Sequence, residues 1–157
     1  MPEATILCID SSDHMRNGDY FPSRLMATQE VCNLVIGSKM QSNPENTIGF
    51  LTMGGKACAV RETLTADVDR VMASITSIPV SGGLHFIHGL QIASLALSHR
   101  TNPRSEKRIV AFVGSPLGDA VTPQVLEKLA KKLRKDDVSV DIVSIGQEEN
   151  NERLEKF

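Results

Sequence analysis

The sequence predicts a doubly wound α/β domain whose sheet is mostly parallel, with one antiparallel edge strand. Three observations carry this prediction. The runs at residues 6–9 and, after Arg108, 109–114 are apolar at successive positions, as strands covered on both faces are. Segments with helical spacing separate these strand-like runs, the alternation that joins parallel strands by right-handed crossovers. Gly54-Gly55-Lys56 lies between two short β-rich runs, a tight-hairpin signal that adds one antiparallel strand.

Taken in order, the first strand is Ile6-Leu7-Cys8-Ile9, and it ends abruptly in Asp10-Ser11-Ser12-Asp13. From Ser23 onward Leu25, Thr28, Cys32 and Val35 recur on one helical face, and the helix is expected to stop near Gly37, ahead of the polar turn at 41–46. Residues 47–53 and 57–64 form the hairpin. Thr65 is the expected N-cap of a short helix with the stripe Val68, Val71, Met72 and Ile75. Residues 84–98 are apolar enough all round to predict a largely buried helix. After the second buried strand, Thr122 and Pro123 open a helix with the stripe Val125, Leu126, Leu129, Ala130 and Leu133. Its other face carries Lys128, Lys131, Lys132, Arg134 and Lys135, which are either simply solvated or meet an acidic partner. Residues 138–145 alternate as a half-exposed strand does, and a last helix is expected from about Glu148.

At 157 residues and 41% hydrophobic content the chain is expected to form a single domain, residues 1–157, truncated at its C-terminus. A net charge of −2 gives no global field to draw nucleic acid or an anionic membrane. No run approaches the ~20 apolar residues of a membrane span, and Met1-Pro2-Glu3 lacks a basic signal start. Cys8, Cys32 and Cys58 read as reduced thiols, and the chain as cytoplasmic and nuclear.

Enzyme signatures are missing. There is no G-x-x-x-x-G-K-[ST] and no strand-borne G-x-G-x-x-G, so a backbone cradle for nucleotide phosphates is absent. Gly114-Ser115-Pro116-Leu117-Gly118 is not G-x-S-x-G, and Pro116 removes the N–H that would serve an oxyanion hole. The expected function is therefore not enzymatic. What remains is the carboxyl rim of the sheet, where loops 10–14, 82–89 and 115–119 should converge. Asp10 there either accepts hydrogen bonds from the following loop or, with Ser12, ligates a hard cation such as Mg²⁺. His14, His85 and His88 fall on the same rim and would suit a transition metal better.

This pattern resembles the von Willebrand factor A family, in which a D-x-S-x-S motif follows the first strand. Asp10 and Ser12 match it. His14 stands at the third motif position, His85 lies in the loop where the family places a Thr, and Ser115 stands where its Asp would be. The resemblance implies a degenerate adhesion site, Asp10, Ser12, His14, His85 and Ser115, with no metal and no cofactor. The run Cys8-Ile9-Asp10-Ser11-Ser12 with Met15-Arg16-Asn17-Gly18-Asp19, then Ser42-Asn43-Pro44-Glu45-Asn46 and Ala111-Phe112-Val113-Gly114-Ser115-Pro116, resembles a narrower branch of the family. That branch is the domain of ubiquitin receptors in the proteasome regulatory particle. It implies a docking module between lid and base subunits, with polyubiquitin held by motifs outside these residues. The other expectation is a metal-dependent, adhesion-type ligand-binding domain using Asp10 and Ser12.

Overall fold

The structure is a computed structural model that describes residues 2–12, 15, 24–43, 45–54, 58–75, 78, 84–99, 105–113 and 123–144. Among the described residues nine elements follow in chain order: β1 (Glu3–Ile9), α1 (Arg24–Ser42), β2 (Thr47–Thr52), β3 (Ala59–Thr65), α2 (Val68–Ile75), α3 (Phe86–Ser98), β4 (Glu106–Val113), α4 (Pro123–Lys135) and β5 (Val138–Ser144). The strands form one sheet in the order β3-β2-β1-β4-β5. β1 pairs parallel with both β2 and β4, and β4 pairs parallel with β5. Among the described strands only β3 runs antiparallel, at the edge beyond β2, as its hairpin signal predicts.

Residue alternation along the central strands divides the core in two. Ala4, Ile6 and Cys8 of β1, with Ile109, Ala111 and Val113 of β4, face α3 and α4. Leu7 and Ile9, with Val110 and Phe112, face α1 and α2. Both faces are covered, which is why these strands read as unbroken apolar runs rather than alternating ones. Phe50, Phe86 and Phe112 are fully buried, each contributing about 1.5–3 kcal/mol of transfer free energy.

Several local expectations need correction. α1 does not stop near Gly37 but continues to Ser42. A Cβ at Gly37 would meet nothing within 4 Å, so the glycine costs the helix only its backbone entropy, about 1 kcal/mol. Packing of Met40 and the ion pair of Lys39 with Glu3 outweigh that cost. The cap of α2 is Asp67, not Thr65: Asp67 Oδ1 accepts from Arg70 N at 3.2 Å, while Thr65 Oγ1 accepts from Asp67 N at 3.1 Å one step earlier. α3 begins at Phe86 and is a surface helix. It buries Phe86, Gly89, Leu90, Ala93 and Leu97 but leaves Leu95 62% exposed, because a helix lying on one sheet face can hide only one stripe. β4 starts two residues early, at Glu106, where it pairs with Glu3. Val125 of the expected α4 stripe is exposed, whereas Leu126, Leu129 and Leu133 are buried. Thr122, the helix expected from Glu148 and residues 55–57 of the hairpin turn lie outside the described residues.

The amino ends of the strands are held by polar side chains. Glu3 is hydrogen-bonded by Lys39 of α1 and, at 3.3 Å, by Arg108 of β4, and Arg108 also pairs with Asp141 of β5. Asn46, buried, accepts from Glu3 N at 2.7 Å and donates to Lys39 O at 2.7 Å, tying the end of α1 to the start of β1.

Candidate functional site at the carboxyl rim

β1 has neighbours whose connections leave in opposite directions, so the crevice outside its carboxyl end is the place where an open α/β sheet collects ligands. Asp10 is the first residue past that end. Its N–H donates to Phe112 O of β4 at 3.0 Å, continuing the ladder by one step. Its carboxylate turns back over the loop, and Oδ1 accepts the N–H of Ser12 at 2.9 Å. Asp10 and Ser12 are fully buried and Ser11 nearly so. The carboxylate is thus a local turn-former, the hydrogen-bonding role expected of a strand-end Asp.

A second strand end meets the first. Met53 N donates to Ile9 O at 2.9 Å, and Gly54 N donates to Ser11 Oγ at 3.0 Å. The approach leaves no room for a side chain at Gly54, since a Cβ would lie 2.5 Å from the Ser11 carbonyl oxygen. Met53 O then accepts the N–H of His85 at 2.8 Å, which docks the start of α3 on the rim. His85 stands at the N-cap position and its side chain makes no capping hydrogen bond. Two thiols complete the ring: Cys58 Sγ donates to His85 O at 3.4 Å, and Cys8 Sγ lies 4.0 Å from Gly89 O.

Of the expected rim residues, the structure brings Asp10, Ser12 and His85 into this one hydrogen-bonded ring, with Met53 as the link. His88 is exposed on α3. His14 and Ser115 lie outside the described residues. Sequence reasoning missed Ser11, Met53, Gly54 and Gly89. The only signal was the glycine pair at 54–55, which reads as a turn and not as a point of close contact.

The family's adhesion site would use Asp10 and Ser12 for magnesium, and the residues here do not fit it. One Asp10 oxygen is committed to the Ser12 N–H, and the other positions of the motif offer imidazole and hydroxyl where Mg²⁺ prefers oxygen anions and water. Among the described residues no three His, Cys, Asp or Glu side chains cluster so as to hold a metal. The thiols are equally quiet. Burial pushes Cys58 up to about 11 and Cys32 up to about 12, and Cys8 higher still, so none is a thiolate at neutral pH. All three are free. Among the described residues no helix is long and apolar enough to cross a membrane.

Comparison with known proteins gives a consistent picture. A family model described as von Willebrand factor type A domain matches residues 5–116. A 26S proteasome non-ATPase regulatory subunit 4 homolog of Arabidopsis thaliana is 46% identical over 99% of this chain, covering 40% of the relative. The 26S proteasome regulatory subunit rpn10 of Schizosaccharomyces pombe is 41% identical over 99% of this chain and 63% of its own length. The crystal structure of the SpRpn10 VWA domain superposes with a TM-score of 0.91 at 38% identity, covering 99% of this chain and 82% of that one. The chain thus spans about two fifths to two thirds of the length of these curated relatives.

Proposed function

The chain belongs to the von Willebrand factor type A family, and on that premise we propose that it is a non-catalytic docking module of the 26S proteasome regulatory particle. The observation that carries the reading is the rim. A ligand-binding member of such a fold needs open oxygen donors at the switch point. Here, among the described residues, hydrogen bonds engage Asp10, Ser12, Ser11, Gly54, Met53 and His85 with one another and with β1. Similarity along nearly the whole chain to regulatory subunits of the proteasome supports the same reading.

On this reading the domain bridges lid and base subunits in ubiquitin-dependent degradation, in the cytoplasm and nucleus. Polyubiquitin is held elsewhere, because no acidic-apolar helical motif with Ala and Ser at helical spacing occurs among residues 148–157. The rim residues Asp10, Ser12, His14, His85 and Ser115 then serve to shape the docking end and not to bind metal. The test is affinity purification of tagged chain from cells at mild salt. Regulatory-particle subunits are expected in the eluate, and their absence would refute the proposal. Calorimetry with Mg²⁺, Mn²⁺ and Zn²⁺ is expected to show no heat of binding.

A further inference from the structure

The docking reading does not use the outer face of α4. This helix buries Leu126, Leu129 and Leu133 and turns Lys128, Lys131, Lys132, Arg134 and Lys135 to solvent. Five cations and one anion thus stand in a chain whose remainder carries twelve cations against eighteen anions. The charge is segregated, not mixed. At helical spacings of three and four, the sequence sets five like-charge pairs: 128 with 131, 128 with 132, 131 with 134, 131 with 135, and 132 with 135. Within the helix one attractive pair, Glu127 with Lys131 at 3.2 Å, stands against them, and Asp136 and Asp137 follow the last turn at these spacings from Lys132 and Arg134. Like pairs at these spacings oppose helix formation.

Folding explains only part of this arrangement. Lys132, Arg134 and Lys135 lie in the last turn, where cations complement the helix dipole. Lys128 and Lys131 lie before that turn, beyond the reach of the same effect. A merely solvated face would be served equally well by alternating signs. Val125 lies one turn before Lys128 on the same row and is 37% exposed, so the row reads Val125, Lys128, Lys132, Lys135.

We infer that this row is a docking surface for an acidic protein segment, one that sets carboxylates against the three lysines and an apolar side chain against Val125. Carboxylates there would relieve the repulsion the helix otherwise carries, so complementarity supplies both attraction and register. A nucleic acid fits the row less well. The helix has no aromatic side chain for a base to stack on, and Arg134 is its only guanidinium. The proposal stands on α4 itself and goes beyond the docking reading, which concerns the rim and places no partner on this helix.

The test is fluorescence anisotropy of the intact chain with a labelled peptide of alternating Glu-Glu-Leu triplets. Its controls are a Gln-for-Glu version and a Ser-for-Leu version, with single- and double-stranded DNA oligomers as competing probes. Peptide binding is expected to weaken at least tenfold in the triple variant Lys128→Gln, Lys132→Gln, Lys135→Gln. It is expected to weaken several-fold in Val125→Ser and to fall steeply with added salt. The triple variant removes repulsion, so its melting temperature is expected to be unchanged or higher, which excludes unfolding as the cause of lost binding. Equal binding by wild type and triple variant would overturn the proposal. So would equal binding of the Leu and Ser peptides, or DNA bound more tightly than the acidic peptide.

Discussion

The Ser11 hydroxyl accepts the Gly54 N–H at 3.0 Å, and the backbone of Ser11 occupies the volume that any side chain at Gly54 would require. Two strand ends separated by 43 positions in the chain are thereby pressed together at the rim. Gly54→Ala would place a methyl 2.5 Å from the Ser11 carbonyl oxygen, against main chain that cannot rotate away as a side chain would. The expected loss is about 1–3 kcal/mol, as for other overpacked sites, read as a lower urea midpoint with unchanged slope.

Asp10 acts through an acceptor oxygen, so its replacements should rank by what they can accept. Asp10→Ala strands the buried Ser12 N–H that now donates at 2.9 Å, and the expected cost is on the order of 1–3 kcal/mol. Asp10→Asn keeps a carbonyl oxygen at the same position and should lose visibly less. Equal melting temperatures for wild type and the Ala variant would contradict the role assigned to Asp10.

Glu3 gives the fold an acid-side dependence. Burial alone would raise its pKa, but the hydrogen bonds from Lys39 and Thr5 and the charges of Lys39 and Arg108 hold it below the ordinary 4.5. A carboxylate depressed in the folded state stabilises fully above the unfolded pKa. That contribution is lost as the pH falls below 4.5 and through the folded value. Denaturation midpoints followed from neutral to acid pH should therefore drop more steeply for wild type than for Glu3→Gln.

The thiols should resist alkylation in the native state. With Cys58 raised to about 11 and Cys32 to about 12, iodoacetamide at mildly basic pH is expected to label denatured chain fully and native chain barely. Cys58, half-buried, should react first. Rapid native labelling of Cys8, which is fully buried, would contradict its place under α3.

The fold was legible where one period dominates. β1 and β4 are covered on both faces, and in a chain with this alternation of elements an unbroken apolar run of strand length fits little else. The errors came from signals of unequal strength. Gly37 looks like a stop, yet a helical glycine costs about 1 kcal/mol, whereas the residue before Pro44 is pushed out of the helical region by the ring. α3 is less buried than its composition implies, because composition counts apolar residues without saying which of them share a face, and Leu95 points away from the sheet. At the rim, Asp10 could be read as a local acceptor because its partner is two residues away. The Ser11–Gly54 and Met53–His85 contacts could not, since both depend on strand order and leave no periodic trace.

Central placement of β1 has a consequence for how the chain is made. Ile6 pairs with Gly49 on one side and with Ile109 on the other, so the first strand synthesised is among the last to be flanked. At ribosomal rates of about 5–20 residues per second, the roughly 100 residues made between β1 and β4 leave that strand without its β4 neighbour for about 5–20 seconds. Through that interval an apolar edge of Ile6, Leu7, Cys8 and Ile9 is open to stray pairing. Nascent chains stalled before residue 106 should accordingly be cut by protease within β1, and chains released after β4 should not. For this protein, the first strand stays exposed until β4 has been made, and any chaperone that meets the nascent chain should meet it there.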